Sequence, residues 1–84
     1  MQIYMQITPQ DDKPPRFYNL FIQQDLLGGW TLVREWGYQG SPGRMRRKHH
    51  DSLEKAMDSL MQCRDTQLRR GYRVVFARGE GPPA

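Results

Sequence analysis

The sequence predicts an α+β domain in which a small antiparallel β-sheet of four or five strands is packed on one side by a single long α-helix. Three observations support this fold class. Short segments in which apolar and polar residues alternate fill the first 50 positions, and such alternation is typical of half-buried strands. Apolar residues then recur at helical spacing between Leu53 and Leu68. Glycines and prolines separate the alternating segments, as expected for short connections between strands.

The strand pattern is clearest in the first half of the chain. A turn at Gly28-Gly29 indicates a hairpin between the second and third segments. Three glycines and one proline between Gly37 and Gly43 indicate a loop between the third and fourth. The predicted strands lie at residues 3–7, 16–25, 30–36 and 44–50, and residues 72–76 fit a short fifth strand.

The third and fourth segments each divide into two faces by alternation. Both faces of the third segment carry apolar residues, so the pattern leaves open which of them meets the core. In the fourth segment one face carries cations and histidine only, and we call it the basic stripe. One face of the third segment holds Trp30, Leu32, Arg34 and Trp36 and the other Thr31, Val33 and Glu35, while the basic stripe consists of Arg44, Arg46, Lys48 and His50.

The helix is predicted to begin after Asp51 or Ser52, either of which can act as the N-cap. It is predicted to end near Arg70, where Gly71 suits a left-handed C-cap. Of its apolar residues, we expect Leu53, Met57 and Leu60 to cover the sheet. The whole apolar stripe consists of Leu53, Ala56, Met57, Leu60 and Leu68.

Length and composition are those of one small domain. The chain has 84 residues, 37% of them hydrophobic and 26% charged, and a chain this short buries a thin core. We interpret residues 1–76 as a single domain and residues 77–84, rich in Gly and Pro, as a flexible C-terminal tail. The lone Cys63 excludes an intrachain disulfide. We find no apolar segment typical of a membrane span or signal peptide, and we expect a cytoplasmic protein without a membrane partner.

The positive charge is concentrated in one segment. Five cations and one acid lie between Arg34 and His50, so this segment carries a formal charge of +4, equal to that of the whole chain. Such a local excess favours a surface that faces an anionic partner. The alternative is an edge strand that charge keeps soluble.

The sequence does not favour catalysis or metal binding. His49 and His50 are adjacent in a predicted strand and therefore point to opposite faces, and Cys63 lies on a helix without an evident base nearby. The loop glycines do not have the spacing of a dinucleotide-binding fingerprint. We therefore expect no enzymatic activity, no metal, no cofactor and no small-molecule substrate.

The segment Trp36-Gly37-Tyr38-Gln39-Gly40, followed by Gly43, the basic strand and Asp51-Ser52-Leu53-Glu54-Lys55-Ala56, resembles the WGR domain. This module occurs in poly(ADP-ribose) polymerases and in many bacterial proteins. The resemblance extends from about Arg16 to Tyr72. The chain departs from the motif at its third letter, where Tyr38 stands in place of arginine.

The resemblance implies a stand-alone, non-catalytic module of bacterial type that binds nucleic acid, DNA ends or breaks in particular. In the polymerases the motif tryptophan packs against the end of the duplex, and the motif arginine couples the domain to catalytic regions. By resemblance Trp36 stacks and Gly37 permits close approach, whereas Tyr38 lacks the guanidinium fork that coupling uses. The candidate nucleic-acid-binding residues are Arg34, Trp36, Gly37, Tyr38, Arg44, Arg46, Arg47 and Lys48.

Two alternatives remain open at this point. Arginine and aromatic residues are also enriched at protein interfaces, so an interaction module that binds an acidic protein surface fits the same composition. Trp36 is either an exposed recognition residue or part of the core, because tryptophan serves both purposes in small domains. The hairpin register, which decides whether Trp36 lies beside the basic stripe, does not follow from the sequence.

Overall fold

The computed structural model describes residues 1–9 and 11–79, which form five strands and one helix. The strands pair antiparallel in one sheet with the order β4-β3-β2-β1-β5, and the helix packs on one face of it. The predicted α+β fold is therefore confirmed. In chain order the elements are β1 (Gln2–Ile7), β2 (Arg16–Gln24), β3 (Trp30–Tyr38), β4 (Arg44–His50), α1 (Leu53–Arg69) and β5 (Arg73–Arg78).

The strand register decides which residues meet the helix. Ile3 lies opposite Leu20, and Leu32 lies opposite Ile22. Directly opposite residues of an antiparallel pair point to the same side of the sheet, so these side chains share the face that α1 covers, which we call the helix face. The even-numbered side of β3, left open by the alternation, is thus the one facing α1. The core cluster consists of Ile3, Met5, Tyr18, Leu20, Leu32, Leu60 and Tyr72.

The other side of the sheet, which we call the open face, has no second layer in the described part of the chain. Its own side chains cover it instead. The ring of Tyr4 stacks in parallel with those of Phe17 and Phe76, at centroid distances of 6.2 and 5.4 Å. Val33 on this face is fully buried. Apolar residues therefore lie on both sides of β3, because Val33 is buried on the open face and Leu32 is buried on the helix face.

Helix α1 begins and ends at hydrogen-bonded caps. The Ser52 hydroxyl accepts a hydrogen bond from the Lys55 backbone N–H at 3.1 Å, so Ser52 rather than Asp51 is the N-cap. At the other end Gly71 adopts a φ of +100°, which is the left-handed conformation predicted for it. No helix among the described residues combines the length and the apolar character that crossing a membrane requires.

The buried side of α1 differs from the prediction. Ala56, Leu60 and Gln67 are buried, whereas Leu53 and Leu68 are 43% and 42% exposed. The predictions that Leu53 covers the sheet and that Leu68 continues the apolar stripe are wrong. Position 67 follows 60 by seven residues and stays in phase with it, while position 68 lies about 100° further around the helix.

The last strand is longer than predicted. β5 extends to Arg78, so Ala77 and Arg78 belong to the sheet and not to the predicted tail that begins at residue 77. Residues 80–84 of that tail lie outside the described residues. The pairing with β1 shifts between Tyr4 and Met5, and Val75 forms a β-bulge there.

Asp25 fixes the turn between β2 and β3. Its Oδ1 atom accepts hydrogen bonds from the backbone N–H groups of Leu27 and Gly29, both at 3.0 Å, and its Oδ2 atom accepts one from the Thr31 hydroxyl at 3.1 Å. The Nδ1 atom of His49 lies 2.6 Å from the same Oδ2 atom. The turn is therefore joined to β4 through one carboxylate.

A second carboxylate completes the environment of His49, since its Nε2 atom lies 3.3 Å from Oδ1 of Asp51. The hydrogen bond to Asp25 raises the pKa of His49 above its ordinary value, desolvation opposes this, and the bond to Asp51 adds to it. For Asp25, burial alone would raise the pKa, but the hydrogen bonds from Gly29, His49 and Leu27 outweigh burial and lower it. Both shifts favour the charged forms of the pair.

Replacing Leu60 tests the position of the core. Leu60 is fully buried, so Leu60→Ala removes apolar contacts and leaves a cavity, and we expect the free energy of unfolding to fall by about 2–5 kcal/mol. The matched control is Leu68→Ala on the same helix, for which we expect a change within about 0.5 kcal/mol. Urea unfolding followed by circular dichroism measures both. Equal losses in the two variants would mean that the helix packs in another phase.

Replacing His49 tests the link between the turn and β4. Because the folded-state pKa of His49 is raised, its ion pair contributes stability that is fully present below the unfolded value of about 6.5 and is lost as the pH rises through the folded pKa. We expect the difference in Tm between the wild type and His49→Gln to be largest below about pH 6 and to shrink as the pH rises through the folded pKa of His49.

The control for this experiment is the same substitution in an Asp25→Asn background. There the difference in Tm should lose most of its pH dependence, since only Asp51 still faces the imidazole. A pH profile that is unchanged by Asp25→Asn would show that His49 does not act through Asp25.

Candidate functional site

An open cleft of about 570 Å³ lies on the helix face, between the C-terminal half of α1 and strands β2, β3 and β4. Four arginines line it, one from each strand and one from the end of the helix. None of the described residues that line this cleft is acidic. We call it the arginine cleft, after Arg16, Arg34, Arg46 and Arg70.

Aromatic rings form the base of the cleft. The indole of Trp36 stacks on the ring of Tyr18, with centroids 5.8 Å apart and planes inclined by 14°. Tyr18 in turn meets Tyr72 edge to face, at 5.8 Å. Burial raises the pKa of the Tyr18 phenol, and the nearby charge of Arg34 offsets part of that rise, so the phenol stays protonated at neutral pH.

Two of the arginines lie over these rings. The guanidinium carbon of Arg16 lies 5.7 Å from the centroid of the Tyr72 ring, and that of Arg34 lies 6.0 Å from the centroid of Trp36. A guanidinium over an aromatic face keeps its in-plane N–H donors available to an anion. The rings therefore hold the two cations in place without neutralising them.

Trp36 lies at the boundary between the core and the cleft. The register sets it between Tyr18 of β2 and Arg44 of β4. It is half-buried and packs against the core cluster, while part of it lines the cleft. The sequence left open whether Trp36 is a core residue or an exposed recognition residue. The structure combines the two, because one part of Trp36 contacts the core and another part borders the cleft.

Arg34 and Arg46 lie directly opposite each other on β3 and β4. Neither forms an ion pair with any residue of the described part of the chain. Like charges in opposite positions of a sheet destabilise it, and an anion placed between them would remove the repulsion. The register thus creates an unfavourable interaction that a ligand of negative charge relieves.

The helix side of the cleft is polar. Its residues recur at spacings of three and four and so form a stripe along the helix, which adjoins the buried side and shares Gln67 with it. This spacing could have identified these residues from the sequence. They were missed because only the apolar stripe of α1 was considered. The helix residues at the cleft are Ser59, Gln62, Cys63, Thr66, Gln67 and Arg70.

Sequence reasoning also overlooked Arg16, Tyr18 and Tyr72 as site residues. Arg16 opens β2 opposite Tyr38, and Tyr72 follows the helix. These residues reach the cleft only because β2 pairs with β3 and the chain reverses after α1. No local pattern around Arg16 or Tyr72 marks them.

A second recess of about 400 Å³ adjoins the cleft and shares Arg16, Trp36 and Tyr72 with it. Its other walls come from the end of β3, the loop after it and the start of β4. Trp36 therefore stands between two concave surfaces. The remaining lining residues are Gly37, Tyr38, Ser41, Pro42 and Arg44.

Gly37 and Gly43 are close to each other at the connection between β3 and β4. A Cβ atom at Gly37 would lie 3.0 Å from the Cα atom of Gly43, and one at Gly43 would lie 2.7 Å from the Trp36 carbonyl oxygen and 3.0 Å from the Phe17 ring. The hairpin therefore needs glycine at both positions for its own packing. This is a structural reason for Gly37, separate from the predicted approach of a partner.

The structure brings six of the eight predicted binding residues around the two recesses. Lys48 is on the helix face opposite Leu32, but it lines neither recess. Arg47 lies opposite Val33 on the open face, because alternation turns it away from the basic stripe. The six are Arg34, Trp36, Gly37, Tyr38, Arg44 and Arg46.

The histidines at the end of β4 do not extend the exposed stripe. His50, predicted to continue it, is half-buried, and its Nε2 atom has no hydrogen-bond partner among the described residues. His49 is held by Asp25 and Asp51. The exposed part of the basic stripe is therefore Arg44, Arg46 and Lys48.

Comparison with known proteins agrees with the fold and the motif. The family model described as "WGR domain" matches residues 1–78. The chain is also similar to "Uncharacterized protein y4dW" of Sinorhizobium fredii, with 28% identity over 72 residues. This match covers 86% of the present chain and 35% of that protein, so the chain spans about a third of the length of this relative. No solved structure matches the chain significantly. The chain belongs to the WGR domain family, a type of module that binds nucleic acid in poly(ADP-ribose) polymerases.

Proposed function

We propose that this protein is a non-catalytic module that binds nucleic acid in the arginine cleft, with a preference for strand ends or breaks. One observation carries the proposal. Four arginines and a partly accessible tryptophan line one cleft, and no acidic residue lies among its described lining residues. A cleft with one sign of charge attracts polyanions.

The arginines supply contacts to phosphate. A guanidinium fork can donate two parallel hydrogen bonds to phosphate oxygens. Arg34 and Arg46 are paired across two strands, so their Cα atoms are about 4.5–5.5 Å apart. Their two forks can therefore bracket a single phosphate group, and Arg16 and Arg70 lie on the same cleft to contact its neighbours.

Trp36 supplies the preference for ends. In an intact duplex the bases cover one another, so a base or sugar face is accessible only at an end, a break or a single strand. The indole of Trp36 stacks on the Tyr18 ring, and Trp36 lies opposite Arg44 of β4 in the strand register. Stacking on an aromatic side chain tolerates any base, which implies little sequence specificity.

Tyr38 separates this module from the polymerase domains. It is 44% exposed and lines the recess beside Trp36. A phenol cannot make the bidentate contacts of an arginine. We therefore propose binding without the interdomain coupling that the motif arginine performs in the polymerases.

The proposal is tested by titrating labelled blunt duplex, nicked duplex and single-stranded DNA at about 50 and 200 mM salt. We expect the logarithm of affinity to fall linearly with the logarithm of salt concentration, by about 0.7–0.9 for each phosphate neutralised. We also expect nicked and single-stranded DNA to bind more tightly than an equal length of intact duplex. A weak salt dependence with no preference for ends would favour the alternative partner, an acidic protein surface.

Removing the paired arginines should weaken binding without loss of stability. We expect Arg34→Gln with Arg46→Gln to lower affinity at least tenfold, because each removes a charge-assisted hydrogen bond worth about 1.5–3 kcal/mol, and to reduce the salt slope by about two contacts. The Tm should stay equal or rise, since a like-charge pair has been removed. Fluorescence anisotropy and thermal melting measure the two effects.

The matched control for these arginines is Arg47→Gln with Arg73→Gln. This pair removes the same charge from exposed positions away from the cleft. We expect less than about a threefold loss of affinity. Equal losses in the two double variants would mean that diffuse charge, and not the cleft, binds the nucleic acid.

Replacing Trp36 tests the stacking contact. Trp36→Leu keeps an apolar group against the core but removes the aromatic face, so we expect affinity for single-stranded and nicked DNA to fall by about 1–3 kcal/mol, or roughly 5- to 150-fold. The salt slope should not change, because no charge is lost. Trp30→Leu is the control, since Trp30 is also half-buried but lies opposite His50 and outside the cleft. If both variants lose the same affinity, stability and not stacking explains the loss.

A further inference from the structure

The edge of the sheet formed by β5 takes no part in the arginine cleft. All six of its residues are exposed. β5 pairs with β1, and its other side has no neighbouring strand within the described part of the chain. A row of main-chain N–H and C=O groups is therefore open to a partner.

The side chains in the middle of β5 do not protect this edge. Val74, Val75 and Phe76 are consecutive, and their exposed fractions are 43%, 55% and 43%. Sheet edges are usually guarded by charged residues, which hinder the addition of another strand. The opposite edge has that guard, because four of the seven residues of β4 are Arg or Lys. The two edges of the sheet thus differ in kind.

The bulge at Val75 gives the edge an ordered charge pattern. Arg73 lies opposite Gln6, Phe76 opposite Tyr4, and Arg78 opposite Gln2. All three therefore point to the open face, although the spacing from 73 to 76 is odd. The result is an apolar residue, held against the Tyr4 ring at 5.4 Å, with a cation on either side along the strand.

Each of these cations also lines a recess at one end of the strand. Arg73 lines one of about 420 Å³ together with Ile7, Gly71 and Val75. Arg78 lines one of about 340 Å³ together with Met1 and Phe21. A ligand on this edge would thus meet an apolar centre and a concave, positively charged site at each end.

We propose that β5 docks an extended segment of another protein, which adds to the sheet as a sixth strand and carries acidic residues on both sides of an apolar centre. Main-chain hydrogen bonds to the free side of β5 give such a strand its affinity, and side-chain contacts give it specificity. Its apolar residues pack on Val75 and Phe76. Its carboxylates pair with Arg73 and Arg78.

Two other occupants fit less well. A second copy of this chain could pair its own β5 antiparallel to this one, with Val75 of one copy opposite Phe76 of the other. That register also sets Arg73 opposite Arg78, and like charges in opposite positions repel. Nucleic acid would pair with the arginines but would leave the apolar row uncovered and the main-chain groups unused. An acidic extended polypeptide satisfies all three features of the edge.

The test uses the full chain and a short synthetic peptide that has two glutamates at each end and alternating valine and threonine between them. The control peptide carries lysines in place of the glutamates. Amide chemical shifts and hydrogen exchange report the place of binding. We expect the glutamate peptide to shift and protect the amides of Arg73–Arg78 and to bind at least about fivefold more tightly than the lysine peptide at low salt.

The variant Arg73→Glu with Arg78→Glu should reverse this preference, because only the sign of the two flanking charges has changed. If the charge-reversed variant has a lower Tm than the wild type, the variant Arg73→Gln with Arg78→Gln is used in its place. We then expect the glutamate and lysine peptides to bind equally. The variant Arg34→Gln with Arg46→Gln should bind the peptide as the wild type does, which separates the edge from the cleft.

Three results would overturn the proposal. The first is a peptide preference that the charge reversal on β5 leaves unchanged. The second is self-association of the unliganded protein with protected β5 amides, seen in sedimentation, which would make a second copy the occupant. The third is displacement of the peptide from β5 by an oligonucleotide in the Arg34→Gln and Arg46→Gln background, which would assign the edge to nucleic acid.

Discussion

The structure depends on the fact that one helix must cover a five-stranded sheet. α1 has 17 residues, which makes it about 25 Å long and 10 Å wide, whereas five strands at about 4.8 Å spacing extend over roughly 20 Å across the sheet. A helix about 10 Å wide cannot cover all five strands, and α1 contacts β2, β3 and β4. Met5, Leu20 and Leu60 are accordingly buried without exposed surface. The margins stay open, and these margins are the arginine cleft on the side of β4 and the free edge at β5.

The same limit explains why the cleft carries uncompensated charge. A small domain has a small free energy of unfolding, so it tolerates repulsion between like charges only where that repulsion is weak. Arg34 faces Arg46 at the rim of the covered area, where water still reaches the guanidinium groups and weakens the repulsion. Deeper in the sheet the repulsion would be severe, and further out the aromatic support from Trp36 would be lost. The rim is the place where an unpaired cation cluster is tolerated and still oriented.

Most of the fold could be predicted from the sequence, because it follows from local patterns. Alternation located four strands, and the spacing of Ala56, Met57 and Leu60 located the helix. The phase of the helix could not be predicted in full, since Gln67 is buried by the sheet beneath it and Leu68 is not. The predicted start of the tail, at residue 77, was wrong because residues 77 and 78 were grouped with the Gly- and Pro-rich segment that follows them. These two residues belong to β5, and the strand that pairs with it, β1, lies at the other end of the sequence.

The candidate site was predictable where it is local and unpredictable where it is tertiary. Trp36, Gly37 and the even-numbered cations of β4 are close in sequence to the loop that joins them, and a motif marks them. Arg16, Tyr18 and Tyr72 reach the cleft through strand pairing and chain reversal. Even the neighbourhood of Trp36 and Arg44 required the register, which the glycine packing at Gly37 and Gly43 fixes.

The pairing of β5 with β1 has a consequence for the order in which the domain assembles. Strands β1 to β4 follow one another in sequence and in space, and the β2–β3 hairpin closes with only five residues between Gln24 and Trp30. The β1–β5 pairs join residues 67 to 76 positions apart, from Gln6 with Arg73 to Gln2 with Arg78. Closing so long a loop carries the largest entropic cost in the fold, and contacts of such separation form late. We therefore expect β5 to be the last strand to join the sheet and the first to leave it, which would make the edge that stays open in the finished domain also the one most readily exchanged.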